Sequence, residues 1–405
     1  MKSFEVPAHY RSSILGSIKS FRKAADPRKK DSSPFRFVVG KTEFIIPRHF
    51  GFCYGVENAI EIAFRTIEEN QGKRIFLLGE MIHNPEVNRD LQDAGVLFLV
   101  DNSGRRLFDF NVLTADDVVI TPAFGTTVEM EKELLDRGVS LQRYNTTCPF
   151  VEKVWKRSAE LGSRGFTLVV HGKYKHEETR ATFSHAKETG PVVIIRDMNE
   201  AAVLAQFIKG ERGAEEFAEV FAGKFSDGFD AAKDLQKLGV VNQTTMLASE
   251  TQEISAFLKE VMQSKFGEES SADTRDTLCY ATNDNQSATL GVLSEEADCA
   301  VVVGGFNSSN TFQIATILAT KFPVLFIRNE LDLFGQTQVR CLNLETHQEE
   351  IKEIDFFTRP NCKFIVTSGA SCPDKTVDEV IRKIGEWRGE KTPVEAALGE
   401  FINIG

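Results

Sequence analysis

Two rhythms alternate along the chain. Near-continuous apolar runs stand at 44–47, 75–78, 118–121, 166–170, 192–195, 240–242, 300–303, 324–327 and 364–367. They are short and rich in β-branched residues, as suits parallel strands covered on both faces. Between them, apolar residues recur at helical spacing. Ile60, Ala63, Phe64 and Ile67 fall at i, i+3, i+4 and i+7, as do Val377, Val380, Ile381 and Ile384. A further helix is predicted over 285–296. Strands alternating with helices predict an α/β fold with parallel sheets.

Three stretches fall outside this rhythm. Residues 1–40 are basic, Ser-bearing and poor in apolar periodicity, and read as a tail. It is either disordered or a transit-like leader, with Glu5 and Asp26 arguing against the leader. Residues 209–237 mix Gly, Phe, Ala and charge, and read as an insertion on the α/β scaffold. Residues 389–405 read as a C-terminal tail.

Composition narrows the class. The chain has 405 residues, 41% of them hydrophobic, with 32 Phe, enough for two or three cores. A formal net charge of -11 argues against nucleic acid as a partner, because a phosphate backbone demands a basic face. No apolar run approaches the roughly 20 residues that span a bilayer, so no membrane partner is expected. Seven cysteines, with no Cys-x-x-Cys pair and no secretory leader, suit reduced thiols rather than a disulfide scaffold. Any metal site must gather ligands from distant parts of the chain.

The turns after the strands carry the unusual chemistry. FIIPRHFGFCYG, YNTTCPF, VHGKYKHEE, VNQTTM, LCYATND, VVGGFNSSNT and VTSGASCPD concentrate Gly, Ser, Thr, Asn, His and Cys. In open α/β folds ligands collect there, where helix N-termini offer N–H groups. Cys53, Cys148 and Cys279 each lie in such a turn just before a predicted helix. The helix end is expected to lower a thiol pKa and favour the thiolate that a metal needs. Three such thiols suit one shared cluster. The bland reading of any one of them is a small buried hydrophobe. Cys299 and Cys362 flank apolar runs and read as core. Cys341 has no polar motif around it, and Cys372 is left open between core and site.

The motifs GFCYGVENAI, EMIHNPEVN, TTCPFVEKV, HGKYKHEET, NQTTML, CYATNDNQSA, VVGGFNSSNT and VTSGASCPD occur in an order that resembles the LytB/IspH family of 4-hydroxy-3-methylbut-2-enyl diphosphate reductases, over about 44–388. The PAFGTTVEM stretch, HGKYKHEET and the 209–237 insertion resemble its plant and cyanobacterial branch. The resemblance implies a trefoil of three α/β domains around a central [4Fe–4S] cluster. Cys53, Cys148 and Cys279 would be its ligands, leaving one iron open. It divides the chain into a first strand and cysteine turn (41–54) that packs with the third domain, then domains over 55–148, 149–278 and 279–388. It implies reductive dehydroxylation of an allylic diphosphate, with reduced ferredoxin or flavodoxin as electron donor. Location would be the bacterial cytoplasm, or the plastid stroma if the N-terminal tail is a transit segment.

By position, Glu178 matches the family's acid, since a buried carboxyl of raised pKa can protonate a leaving hydroxyl. Glu177 beside it is an alternative, and either could be a first-turn Glu favoured by the helix dipole. Thr244 matches the threonine that positions substrate and proton, although a Thr after a strand also serves as a cap. His83, His176, Ser308, Asn310 and Ser371 match the diphosphate-binding positions, with Ser309 as a further contributor. NSSN taken alone reads equally as a capped turn. Phe124 departs from the histidine of the shorter bacterial enzymes, so the anion would be held by fewer imidazoles or by a substitute such as Lys173 or Lys175. Asn145 stands where the family more often has Asp. The competing readings are another three-cysteine cluster enzyme that uses its open iron only as a Lewis acid, and a non-catalytic cluster sensor. The first should show arginines in the glycine-rich turns, and the second lacks a DNA-reading module.

Overall fold

The computed structural model describes residues 4–28, 30–272, 277–388 and 393–404. The chain forms two compact units. One gathers Met1–Glu57, His83–Glu86 and Tyr280–Gly405, and the other Asn58–Ile82 and Val87–Cys279. Each of the nine apolar runs falls within a strand or overruns one of its ends by a single residue.

The first unit is built on a five-stranded sheet, in the order Phe35–Val39, Thr42–Ile46, Cys362–Ser368, Cys299–Val303, Val324–Ile327. The last four strands are parallel, and Phe35–Val39 joins the edge antiparallel. Both faces are covered, which is why the runs are continuous. Val301 and Val303 belong to one apolar core with Phe37, Phe44 and Phe364. Ala300 and Val302 belong to the other, with Ile45, Phe326 and Ile365. Helix Asp374–Trp387 adds Val377, Val380, Ile381 and Ile384 to the first core.

The stretch read as an N-terminal tail is folded in its described part. Helix Ile14–Ala25 buries Ile14, Leu15 and Ile18 completely. The N–H groups of Ile14 and Leu15 donate to the buried Asp378 carboxylate at 2.9 and 3.0 Å, so a distant side chain caps this helix. Ile14, Leu15, Ile18 and Phe21 fall at i, i+1, i+4 and i+7, an apolar face that the sequence reading passed over amid the Ser, Lys and Arg around it. Strand Phe35–Val39 alternates buried and exposed positions, as an edge strand does, and turns into Thr42–Ile46 at Gly40, whose φ is 58°. At the other terminus, helix Val394–Ile404 places Val394 and Leu398 in the same core, so this part is no loose tail either. A small antiparallel sheet of Leu333–Gly335, Gln338–Leu342 and Glu349–Glu353 has no apolar run to announce it.

The second unit holds two parallel three-stranded sheets. The first orders Leu97–Phe98, Ile75–Leu77, Val118–Ile120, and the second Val192–Ile195, Thr167–His171, Leu238–Asn242. The domains expected over 55–148 and 149–278 thus lie in one compact unit, each with its own sheet. The insertion at 209–237 is structured around aromatic rings. Phe217 stacks on Phe221 and Phe229, with centroids 4.8 and 4.9 Å apart, and Phe221 and Leu235 are buried in the core beneath. Among the described residues no helix is long and apolar enough to cross a membrane.

Candidate functional site

In the first unit, three neighbouring parallel strands end in the turns that carry the predicted residues. Thr42–Ile46 leads to Cys53, Cys362–Ser368 to Ser371, and Cys299–Val303 to Ser308, Ser309 and Asn310. Ser308 caps helix Ser309–Ala319, its Oγ accepting from the Thr311 N–H at 3.3 Å and hydroxyl at 2.9 Å. The Ser371 hydroxyl lies 3.3 Å from Ser308 Oγ and 3.2 Å from the His83 carbonyl oxygen, so both strand-end turns and the His83 segment meet. A Cβ on Gly305 would come within 2.5 Å of the His83 carbonyl oxygen, so this approach requires glycine. The Asn310 side-chain oxygen accepts from the Ala370 N–H at 2.9 Å and from the Asn285 amide at 3.4 Å. Its Nδ2 is buried and has no hydrogen-bond partner among the described residues. A buried amide donor left unpaired is costly, and a bound anion would satisfy it.

In the second unit, the pairing of His171 with Asn242 brings two strand ends side by side. The turn after Thr167–His171 carries His176, Glu177 and Glu178, and the turn after Leu238–Asn242 carries Gln243 and Thr244. Glu178 is only 1% exposed. Both its oxygens are gripped by Thr244, Oε1 by the N–H at 2.5 Å and Oε2 by the hydroxyl at 2.9 Å. Glu177 is less buried, and this grip singles out Glu178 from its neighbour. His176 caps helix Glu177–Lys187, with Nδ1 accepting the Glu178 N–H at 3.2 Å. A neutral ring in this geometry carries its proton on Nε2. Gln243 ties the two turns together, because its side-chain oxygen accepts from the Lys173 N–H at 3.0 Å and the Thr179 hydroxyl at 3.1 Å.

Phe124 sets its ring edge-on to the His176 imidazole, with centroids 5.5 Å apart. Lys175 is exposed and Lys173 half-buried, where burial pushes the Lys173 ammonium pKa down. Asn145 accepts the Thr147 N–H at 2.8 Å, an acceptor role that an Asp oxygen would fill equally.

None of the seven cysteines is in a disulfide. Cys53, Cys148 and Cys279 are half-buried, and Cys299, Cys341, Cys362 and Cys372 are buried. The four buried thiols all lie in the first unit's apolar core, which answers the open question over Cys372. Each half-buried cysteine immediately precedes a helix, Tyr54–Glu69, Pro149–Ser163 and Tyr280–Gly291. Backbone bonds fix these turns. Cys53 N–H donates to Ala370 at 3.2 Å, Cys148 N–H to Ala123 at 2.9 Å and Cys279 N–H to Thr244 at 3.3 Å. In the second unit Cys148 and Cys279 are near enough to feel each other's charge. A half-buried thiol at a helix start is by donor chemistry suited to thiolate ligation of iron.

The lowering of thiol pKa expected from a helix start does not hold at Cys148. Burial pushes the Cys148 thiol up to about 11, and the charges of Cys279 and Glu178 add to the rise. The Phe150 and Val151 N–H groups at the helix start pull the other way and are outweighed.

The sequence reading missed Gln243 as an organiser, although it stands inside a motif already marked. It also missed Asn242, which holds Thr277, two residues before Cys279. The Asn242 N–H donates to the Thr277 hydroxyl at 2.8 Å and its side-chain amide to the same oxygen at 3.1 Å. Paired polar residues at a strand end were the available signal.

A family model described as LytB protein matches residues 44–385. The 4-hydroxy-3-methylbut-2-enyl diphosphate reductase of Prochlorococcus marinus (strain NATL1A) is 37% identical over 383 residues, 93% of this chain and 90% of its own. The enzyme of that name from Synechococcus sp. (strain CC9605) is 37% identical over 381 residues, with the same coverage of 93% and 90%. Among solved structures, the E-1-hydroxy-2-methyl-but-2-enyl-4-diphosphate reductase from Plasmodium falciparum aligns with a TM-score of 0.59 at 19% identity, covering 84% of this chain and 86% of that one. A structure of (E)-4-hydroxy-3-methyl-but-2-enyl diphosphate reductase aligns with a TM-score of 0.51 at 22% identity, covering 86% of this chain and 100% of that one. At such identities the structural likeness speaks for the fold, whereas the family match and the bacterial relatives span nearly the whole chain. The chain belongs to the LytB family.

Proposed function

We propose that the chain reduces (E)-4-hydroxy-3-methylbut-2-enyl diphosphate, the last step of the non-mevalonate route to isoprenoids. Two electrons and two protons enter, the allylic C–O bond breaks, and water leaves with isopentenyl or dimethylallyl diphosphate. The observation that carries the acid role is the buried Glu178, held through both oxygens by Thr244 at a strand end. A [4Fe–4S] cluster on Cys53, Cys148 and Cys279, when bound, would supply the electrons and one open iron for the hydroxyl oxygen.

The chain's own groups bind, orient and protonate. Glu178 donates the proton, with the Thr244 hydroxyl against its Oε2 as the partner that steers or relays it. His83, His176, Ser308, Ser309, Asn310 and Ser371 hold the diphosphate. Each hydrogen bond to a charged oxygen contributes on the order of 1.5–3 kcal/mol, so several neutral donors suffice without an arginine cluster. The Asn310 Nδ2 is the clearest such donor. Reduced ferredoxin or flavodoxin is the proposed electron donor.

The test is an anaerobic assay of cluster-loaded protein with a chemical reductant and the hydroxymethylbutenyl diphosphate. Both C5 diphosphates should form. Their absence while the cluster spectrum is intact would remove the reductase reading.

A further inference from the structure

The first cysteine's turn is held from outside the family-matched segment. Gly51, two residues before Cys53, has φ of 75°, the left-handed region that favours glycine. A Cβ there would overlap Asp374 Oδ1 and lie 3.2 Å from the Lys19 ammonium. Lys19 Nζ bonds Asp374 Oδ2 at 2.5 Å and sits 4.7 Å above the Phe50 ring. An ion pair therefore lies directly against the backbone of the turn that presents Cys53. The far side of that turn is tied down by the Cys53 N–H to Ala370. Lys19, Gly51 and Cys53 all line one cavity of about 560 Å³.

Lys19 belongs to helix Ile14–Ala25, which precedes the matched residues 44–385. We infer that the Lys19–Asp374 pair is a positioning device for Cys53, so that the N-terminal helix is part of the metal-binding architecture. This rests on the proposed cluster role of Cys53. Asp374 Oδ1 is buried and has no hydrogen-bond partner among the described residues. Removing Lys19 leaves that carboxylate without its cation, and an uncompensated charge beside Gly51 moves the turn or draws in water. The helix itself is anchored elsewhere, by Asp378 at its start and by Ile14, Leu15 and Ile18 in the core. Lys19 can thus be changed without undocking the helix.

The experiment compares wild type, Lys19→Met, Lys19→Arg and Asp374→Asn. Iron per chain and the rate of cluster loss to a chelator are measured on reconstituted protein. Alkylation of Cys53, Cys148 and Cys279 is followed by mass spectrometry on metal-free protein, with the thermal midpoint as a control. Supports of metal ligands are typically worth 10–100-fold, so Lys19→Met should lose the cluster about tenfold faster. Asp374→Asn should do likewise, and Lys19→Arg should restore most of the difference. Alkylation should change at Cys53 and stay constant at Cys148 and Cys279. Wild-type cluster retention and Cys53 alkylation in Lys19→Met and Asp374→Asn would overturn the inference. So would an equal rise at all three thiols with a lowered midpoint, which marks general loosening. If wild type takes up no iron, the cluster reading fails instead, and Cys53 alkylation still decides the positioning claim.

Discussion

The strand-end turns of the two units solve opposite problems with similar residues. Around Ser308, Asn310 and Ser371 the groups are neutral, and a buried donor, Asn310 Nδ2, has no acceptor among the described residues. Around Glu178 both carboxylate oxygens already have donors from Thr244. A buried donor of this kind suits an anion, whereas a carboxylate with donors on both oxygens suits a group that must be held still while its proton moves. Under the proposed function the contrast separates binding from chemistry, and it can be broken by removing either side.

The largest effect is expected on the chemical side. Glu178→Gln keeps shape and burial but has no proton to give, so turnover should fall by roughly 10²–10⁴-fold, the usual worth of a general acid. The cluster's absorption and the KM should change little. Turnover near wild type would take Glu178 out of the acid role and return Glu177 to consideration. On the binding side, Asn310→Ala removes the unpaired donor and should weaken substrate binding by about 10–150-fold, the range for a hydrogen bond to a charged group. Here KM should carry the change and kcat should not. A fall in kcat alone would mean that Asn310 serves the chemistry.

The two sides differed in how far they could be read from sequence. The nine strands were legible because parallel strands covered on both faces must be apolar throughout, as Val301 and Val302 show by facing opposite cores. Helix Ile14–Ala25 was passed over although Ile14, Ile18 and Phe21 fall at helical spacing. The Ser, Lys and Arg around them read as a basic tail, and the helix's cap, Asp378, stands 364 residues away. Strand Glu349–Glu353 was hidden by its polar side chains, since it pairs along an exposed antiparallel sheet. The candidate residues could be named from their motifs, but not their partners. Nothing in HEE or NQTT says that Thr244 grips Glu178 with both N–H and hydroxyl. Nor does the helix-start position of Cys148 reveal that burial outweighs the dipole there.

Thr244 sharpens the chemical side further, because its N–H and hydroxyl contribute separately. Thr244→Val keeps the backbone bond to Oε1 and deletes the hydroxyl bond to Oε2. Loss of one bond to a charged group predicts about a tenfold or greater fall in kcat, less than for Glu178→Gln. Thr244→Ser should recover most of it. If Ser fails to rescue, the methyl group matters more than the hydroxyl, and the relay role fails.

The smallest expected effect is at Phe124, where the ring meets His176 edge-on. Such aromatic contacts contribute about 0.5–1.5 kcal/mol beyond area, so Phe124→Leu should raise KM by about 2–12-fold and spare kcat. His176 is fixed on its other side by the Glu178 N–H, which limits the damage. Phe124→His offers a hydrogen-bonding ring in the same place and tests what the apolar edge is for. If Phe124 only orients His176, the histidine variant should bind substrate at least as well as Phe124→Leu. If instead the apolar ring keeps water from Glu178 and Thr244, Phe124→His should lower kcat while KM holds. That result would move Phe124 from the binding side of the comparison to the chemical side.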